Sequence, residues 1–221
     1  MTNCFIINYN RLTPLKEMVM YLKTIPEINP IIIDNNSTYE PLLEYYNSKP
    51  CEIERLSLNW GCCAFWQTNL MDKYEAKNGN YIITDSDLDI SQVPTDFLNV
   101  LQEGLNRYSV DKCGFSLRLD DLPKNTYTDG VKAREKANWG DCIDSDKRYI
   151  QTGIDTTFAL YKSQIHSFSA ARTTPPYCAR HLGWYYESAE QLPEDEKYYL
   201  ANIKDGVYND WSTIFKKHYG L

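Results

Sequence analysis

Four short apolar runs, each halted by polar turn residues, constrain the fold of this chain more than any other feature. Residues 4–8 (CFIIN) run into Tyr9, Asn10 and Arg11, and residues 30–34 (PIIID) into Asn35, Asn36, Ser37 and Thr38. Residues 52–58 are followed by Asn59, Trp60 and Gly61, and residues 81–84 (YIIT) by Asp85, Ser86, Asp87, Leu88 and Asp89. Runs this short and this apolar suit strands buried on both faces. Helical patterns lie between them. Thr13 before Pro14 reads as a helix N-cap with proline at the first helical position, and the stripe Leu15, Met18, Val19, Leu22 follows at helical spacing. Residues 40–47 read as a second helix, and residues 62–77 as a third with Phe65, Trp66, Leu70 and Tyr74 inward. Strands alternating with helices predict an α/β domain around a mostly parallel sheet.

The second half is less regular. A helix is expected over 95–107, a strand over 113–119, and a surface excursion over the polar stretch 120–148. Another strand is expected over 155–161, and residues 198–221 read as a helix packing back. No repeat or linker divides the 221 residues, which fit one domain. A net charge of −7 argues against sequence-independent nucleic-acid binding. No long apolar run suggests a membrane span, and residues 1–5 lack the pattern of a signal peptide. Seven scattered cysteines without a C-x-x-C pair point to reduced thiols, a cytoplasmic setting and no zinc site. The 18 tyrosines and 5 tryptophans suit sugar rings as well as core packing, since each joins a flat apolar body to a polar tip.

The sharpest chemistry lies at the end of the fourth run. A strand sends positions i and i+2 to one side, so Asp85 and Asp87 converge. Two close carboxylates call for a cation, and Mg²⁺ or Mn²⁺ suits oxygen donors and bridges to phosphate. The competing reading is an acidic turn capping the next helix. In parallel sheets ligands sit beyond the carboxyl ends of the strands. Asn8, Tyr9, Asn10, Arg11, Asp34, Asn59, Gly61 and Asp85 should therefore share one edge with Asp87. Amides and a carboxylate suit a base and ribose, Arg11 suits phosphate, and Gly61 opens a helix whose amides suit an anion. Four polar strand ends on one edge favour a nucleotide site.

The strings FIINYNR, IIIDNNST and ITDSDLD, in that order, resemble a family 2-like glycosyltransferase of the GT-A fold. The resemblance covers most of the chain, more firmly in its first half. It implies one GT-A-type, Rossmann-like domain, with residues 1–110 holding a nucleotide-diphosphate-sugar donor and 111–221 a glycan or other hydroxyl acceptor. It also implies Mn²⁺ or Mg²⁺ on the diphosphate, an inverting transfer, and surface polysaccharide synthesis with peripheral membrane association open. By it Asp34 meets the base, Asp85 the ribose or metal, and Asp87 the metal; the form DSDLD departs from the frequent triple acid and leaves Asp89 unassigned.

Inverting transfer needs a base opposite the metal to take the acceptor proton. The stretch Arg180 to Glu187 followed by Glu194, Asp195 and Glu196 resembles the family's Gly-aromatic segment and Glu-Asp pair, which makes Asp195 the base, with Glu187 and Asp155 as alternatives. Acids are also favoured in any helix's first turn. His181 is a candidate for the metal, a diphosphate oxygen or the acceptor, and Trp184 and Tyr185 for an acceptor platform, with core packing the competing role.

A haloacid-dehalogenase-like phosphatase also ends a strand in DxD, but on its first core strand, whereas three βα units precede the acids here. A sugar nucleotidyltransferase needs a Gly-rich, Arg-containing loop after the first strand, which NYNRLT is not. The non-enzyme alternative is a nucleotide- or carbohydrate-binding protein on a transferase scaffold.

Overall fold

A computed structural model describes residues 1–137, 139, 142–162, 169–203 and 210–219. The first half builds a parallel layer from β1 (Thr2–Asn8), β2 (Ile28–Asp34), β3 (Glu52–Arg55) and β4 (Asn80–Asp85), in the order β3-β2-β1-β4. Alternate residues of the central strands serve two cores. Cys4, Ile6, Ile32 and Ile82 face one, while Phe5, Ile7, Ile31, Ile33, Tyr81 and Ile83 face the other. Burial on both faces explains the continuous apolar runs.

Helix α1 (Thr13–Leu22) presents Leu15, Met18, Val19 and Leu22 to the first core, as expected from their spacing. Thr13 is its first helical residue rather than its cap, and Leu12 at the cap position makes no side-chain capping bond. Helix α2 (Glu40–Asn47) matches the predicted span, and β3 stops at Arg55 rather than 58.

The predicted helix over 62–77 is broken. Only α3 (Ala64–Gln67) and α4 (Leu70–Lys73) are α-helical, flanked by single 3₁₀ turns. The break falls at Thr68, whose backbone is extended and whose hydroxyl donates to the Ala64 carbonyl at 2.8 Å. That oxygen is the one the Thr68 amide would have used in a continuous helix. Glu75 then turns left-handed.

After β5 (Leu88–Asp89) and α5 (Phe97–Tyr108), the sheet becomes mixed. Its second half comprises β6 (Lys112–Leu117), β7 (Tyr149–Gln151), β8 (Ala159–Lys162) and β9 (Ala170–His181). Strand β8 lies antiparallel between β4 and β6, and β9 runs parallel to β6. The expected strand over 155–161 thus begins only at Ala159, and that over 113–119 ends at Leu117. The excursion after Asp120 carries α6 (Thr126–Ala137), docked by the buried pair of Glu135 with Arg172 of β9.

Strand β9 had no counterpart in the sequence reading because Pro175 and Pro176 interrupt it. The structure bulges them out: Phe115 pairs with Thr173 and the next residue, Ser116, with Cys178. The expected tail helix is two helices, α7 (Glu194–Asn202) and α8 (Asp210–Tyr219), with 204–209 and 220–221 outside the described residues. The result is a single α/β domain on a mixed sheet flanked by helices, and its β3-β2-β1-β4 half has the parallel arrangement expected of a GT-A-type domain.

Candidate functional site

The polar strand ends are tied to one another. Asn10, left-handed at φ 57°, accepts from the amides of Thr38 (2.7 Å) and Tyr39 (3.1 Å), and its own amide donates to Ser37 Oγ. Asn35 accepts from the Trp60 amide at 3.1 Å and donates to the Gly61 carbonyl at 3.0 Å. The Gly61 amide in turn donates to Asn59 Oδ1, and Gly61 needs its freedom, at φ 59°. The Ser86 amide reaches the Ile7 carbonyl, joining the β4 end to β1. The four ends form one hydrogen-bonded edge at the carboxyl side of the parallel strands.

Several residues of this edge point inward. Asp34 is fully buried and accepts from Tyr46 Oη (3.1 Å), the Ser37 amide (3.2 Å) and Arg55 Nε (3.3 Å). Asn8 is also buried and donates to Tyr46 Oη. Tyr9 sends its hydroxyl to the Asn202 carbonyl, and its ring meets that of Tyr199 in an edge-to-face arrangement. Asp34, expected to meet a base, is thus a node holding the β2 end to α2.

Asp85 accepts from Thr156 Oγ1 at 2.7 Å. Burial, together with the charges of Asp87 and Asp155, pushes its carboxyl well above the usual carboxylate range. Asp87 behaves oppositely. Burial alone would raise it, but His181 and Arg11 hold it below the ordinary value. Arg11 Nη1 lies 3.4 Å and His181 Nε2 3.7 Å from Asp87 Oδ2. Strand pairing places the imidazole there: Leu88 is opposite His181, and the Leu182 amide donates to the Asp87 carbonyl. Asp89 faces away, accepting from the Ser91 amide and pairing with Arg180 at 3.4 Å.

Arg11, expected to meet phosphate, is 6% exposed and committed to other groups. Its Nε and Nη2 donate to Glu196 at 2.7 and 3.0 Å, and its guanidinium lies 3.5 Å over the Tyr199 ring. Glu196, 4% exposed, is pushed above the usual range because burial outweighs Arg11's opposing pull. Neighbouring Asp195 is equally inward. Its Oδ2 accepts from the amides of Leu12 (2.7 Å) and Thr13 (2.6 Å) and its Oδ1 from Thr13 Oγ1 (3.2 Å). A carboxylate from α7 thus supplies the cap that α1 lacks locally.

The other base candidates, Glu187 and Asp155, are exposed, and Asp155 Oδ1 accepts from the amide and hydroxyl of Thr157. Trp184 is buried and stacks on His181 with ring centroids 4.9 Å apart and planes 11° apart, so it backs the imidazole instead of offering an open face. Tyr185 is half-buried and donates to Asp121 Oδ1 at 2.6 Å. Glu196, expected only as part of the acid run beside Asp195, is joined by Tyr199 and Thr156, for which the sequence reading carries no expectation. For Glu196 and Tyr199 a signal existed, because positions 196 and 199 share a helix face.

Among the described residues, no three His, Cys, Asp or Glu side chains form a ready metal cage. What is present fits an open site. Asp87 and His181 supply oxygen and imidazole donors, Asp85 adds charge that burial makes costly, and a bound diphosphate would complete the ligand set.

No protein-family model matches the sequence, and no curated protein matches it. Among solved structures the chain is similar to the mannosyltransferase PcManGT from Pyrobaculum calidifontis, in complex with GDP-Man and Mn²⁺. The TM-score is 0.47 at 11% identity, over 97% of this chain and 68% of that one. It is also similar to TarS of S. aureus residues 1–349, with a TM-score of 0.36 at 17% identity, over 57% of this chain and 40% of that one. The same fragment in complex with UDP gives a TM-score of 0.33 at 14% identity, over 57% and 39%. No helix among the described residues is long and apolar enough to cross a membrane.

Proposed function

We propose that the protein is a divalent-cation-dependent glycosyltransferase that moves a sugar from a nucleotide-diphosphate donor to a glycan or other hydroxyl acceptor with inversion. The observation that carries this reading is the buried Asp87 carboxylate, set beside Asp85 and 3.7 Å from His181, at the edge where four polar strand ends are tied together. Asp87 and His181 would hold the ion, which when bound offsets the charge of the departing diphosphate. Asn59, Gly61 and the Asn10 loop shape the donor side from residues 1–110, and Asp34 keeps that edge in place through Tyr46 and Arg55. Residues 111–221 provide the acceptor side, and also send His181 and Glu196 into the donor centre.

The base falls to an exposed carboxylate. Asp195 has both oxygens on α1, which leaves Glu187 and Asp155 to accept the acceptor proton. A cytoplasmic setting belongs to the same reading, and all seven cysteines are free thiols.

The test is thermal shift with UDP and GDP, with and without Mn²⁺, followed by a nucleotide-sugar panel scored for turnover or hydrolysis. Metal-dependent stabilisation and cleavage of one donor are expected, and Asp87→Ala should remove both with the fold intact. Failure of every nucleotide to stabilise the protein in a metal-dependent way would defeat the reading. A non-catalytic nucleotide-binding protein is the second reading, favoured by the inward Asp195. It predicts metal-dependent binding with no turnover of any donor.

A further inference from the structure

Two buried carboxylates share one buried guanidinium beside the proposed cation site. Asp87 and Arg11 are each 6% exposed and Glu196 is 4% exposed. The three are not placed symmetrically. Glu196 takes Arg11 through two N–H groups, at 2.7 Å from Nε and 3.0 Å from Nη2, the side-by-side pairing in which guanidinium and carboxylate fit best. Asp87 meets the other arm, Nη1, at the longer distance of 3.4 Å. The Tyr199 ring, 3.5 Å beneath the guanidinium carbon, fixes its plane. Glu196 and Tyr199 both belong to α7, so one helix sets the cation's position.

We propose that Glu196 is a positioning residue that holds the Arg11 guanidinium back from Asp87, keeping the Asp87 carboxylate available to a divalent cation. This rests on the glycosyltransferase reading. Arg11 and the divalent ion are rivals for the same oxygens. Were Glu196 neutral, the guanidinium would lose its better partner and turn its full charge on Asp87, which already lies within reach. With Glu196 in place Arg11 is nearly spent, and the two carboxylates together keep one negative charge beyond what it neutralises. Arg11 then stiffens Asp87 without occupying it.

The experiment is a titration of Mn²⁺ in the presence of UDP or GDP, with free ion followed by electron paramagnetic resonance, on the full chain. Loss of a group that orients a metal ligand typically costs about 10–100-fold in metal affinity, and Glu196→Gln should weaken Mn²⁺ binding by that order. Adding Arg11→Met to Glu196→Gln removes the rival and should bring affinity back to within roughly threefold of the wild type, on the same scale. A merely structural Glu196 would give no such recovery. If Glu196→Gln does not fold, Glu196→Asp keeps the charge but shortens the reach. It should weaken binding by less than the glutamine variant's range, about threefold.

Wild-type protein that binds Mn²⁺ while Glu196→Gln, or Glu196→Asp in its place, binds it equally well overturns the proposal alone. So does a double variant as weak as Glu196→Gln. Wild-type protein that binds no Mn²⁺ with either nucleotide removes the glycosyltransferase reading, and the proposal with it.

Discussion

The carboxylate of Asp195 receives the amide of Thr13 at 2.6 Å, across 182 residues of sequence. Together with the Leu12 amide at 2.7 Å, this makes Asp195 the N-terminal cap of α1. Asp195→Asn should lower stability by about 1–2 kcal/mol, as loss of a charged cap does. In a chain of this size that is roughly 2–8 °C in melting temperature. A variant that melts like the wild type but loses about 100-fold or more in kcat would instead make Asp195 the base.

The Tyr46 hydroxyl links two buried groups, accepting from Asn8 and donating to Asp34. Burial and the Asp34 charge push this phenol up, so it stays protonated and remains a donor. Tyr46→Phe should cost about 1–3 kcal/mol, since it strips a partner from a buried carboxylate. Chemical denaturation reads the loss. Unchanged stability would mean that Asp34 does not depend on this hydroxyl.

Gly114 sits opposite Ala159 where β6 pairs with β8, with no room for a side chain. A Cβ there would lie 2.5 Å from the Phe158 carbonyl oxygen and 2.7 Å from Ala159 Cβ. Backbone cannot yield as a flexible side chain can, so Gly114→Ala should cost about 1–3 kcal/mol or more. Gly130→Ala on α6, with nothing within 4 Å of the new carbon, is the control and should be neutral or slightly stabilising. Equal stability of the two variants would contradict the packing described for β6.

Lys112 is buried, with Nζ 3.4 Å from the Asp155 carbonyl and 5.1 Å from the centre of the Tyr161 ring. Burial lowers its amine from the ordinary 10.5 to about 8. At neutral pH the folded protein therefore carries a charge that its surroundings disfavour. Between about 8 and 10.5 the unfolded chain binds more protons, so this group's contribution to stability rises with pH. Lys112→Met should raise the melting temperature at pH 7 by about 2–4 °C. The gain should shrink toward pH 10. A gain equal at both values, or a loss at pH 7, would show that the buried ammonium is well satisfied.

The parallel half of the fold was legible because its signal is local. Continuous isoleucine runs and the stripe Leu15, Met18, Val19, Leu22 each report burial through spacing alone. The second half was harder to read because its decisive features are not local. Strand β9 hides behind Pro175 and Pro176, which a sheet tolerates only by bulging. The break at Thr68 depends on one hydroxyl reaching back to Ala64. Residue types bring the polar strand ends to one edge, as their hydrogen bonds show, but do not tell which side chains turn inward. Arg11 looked like a phosphate ligand because nothing near it in sequence betrays Glu196. The acid run at 194–196 reads from its types as a base at Asp195 or as an ordinary first turn, and neither reading shows that two of its members hold Arg11 beyond the β1 end and the first turn of α1.

The contacts that α7 makes have a consequence for biogenesis. Arg11 waits for Glu196, a partner 185 residues away, and the first turn of α1 waits for Asp195. During synthesis the β1 end therefore emerges long before the groups that finish it. For most of translation a basic side chain and uncapped amides face solvent beside an acidic cluster. The core strands can assemble early, but the edge that carries Arg11 can close only after α7 has been made. Ribosome-stalled chains truncated before residue 194 should consequently show a folded sheet with a protease-sensitive α1 entry, and chains extended past α7 should lose that sensitivity.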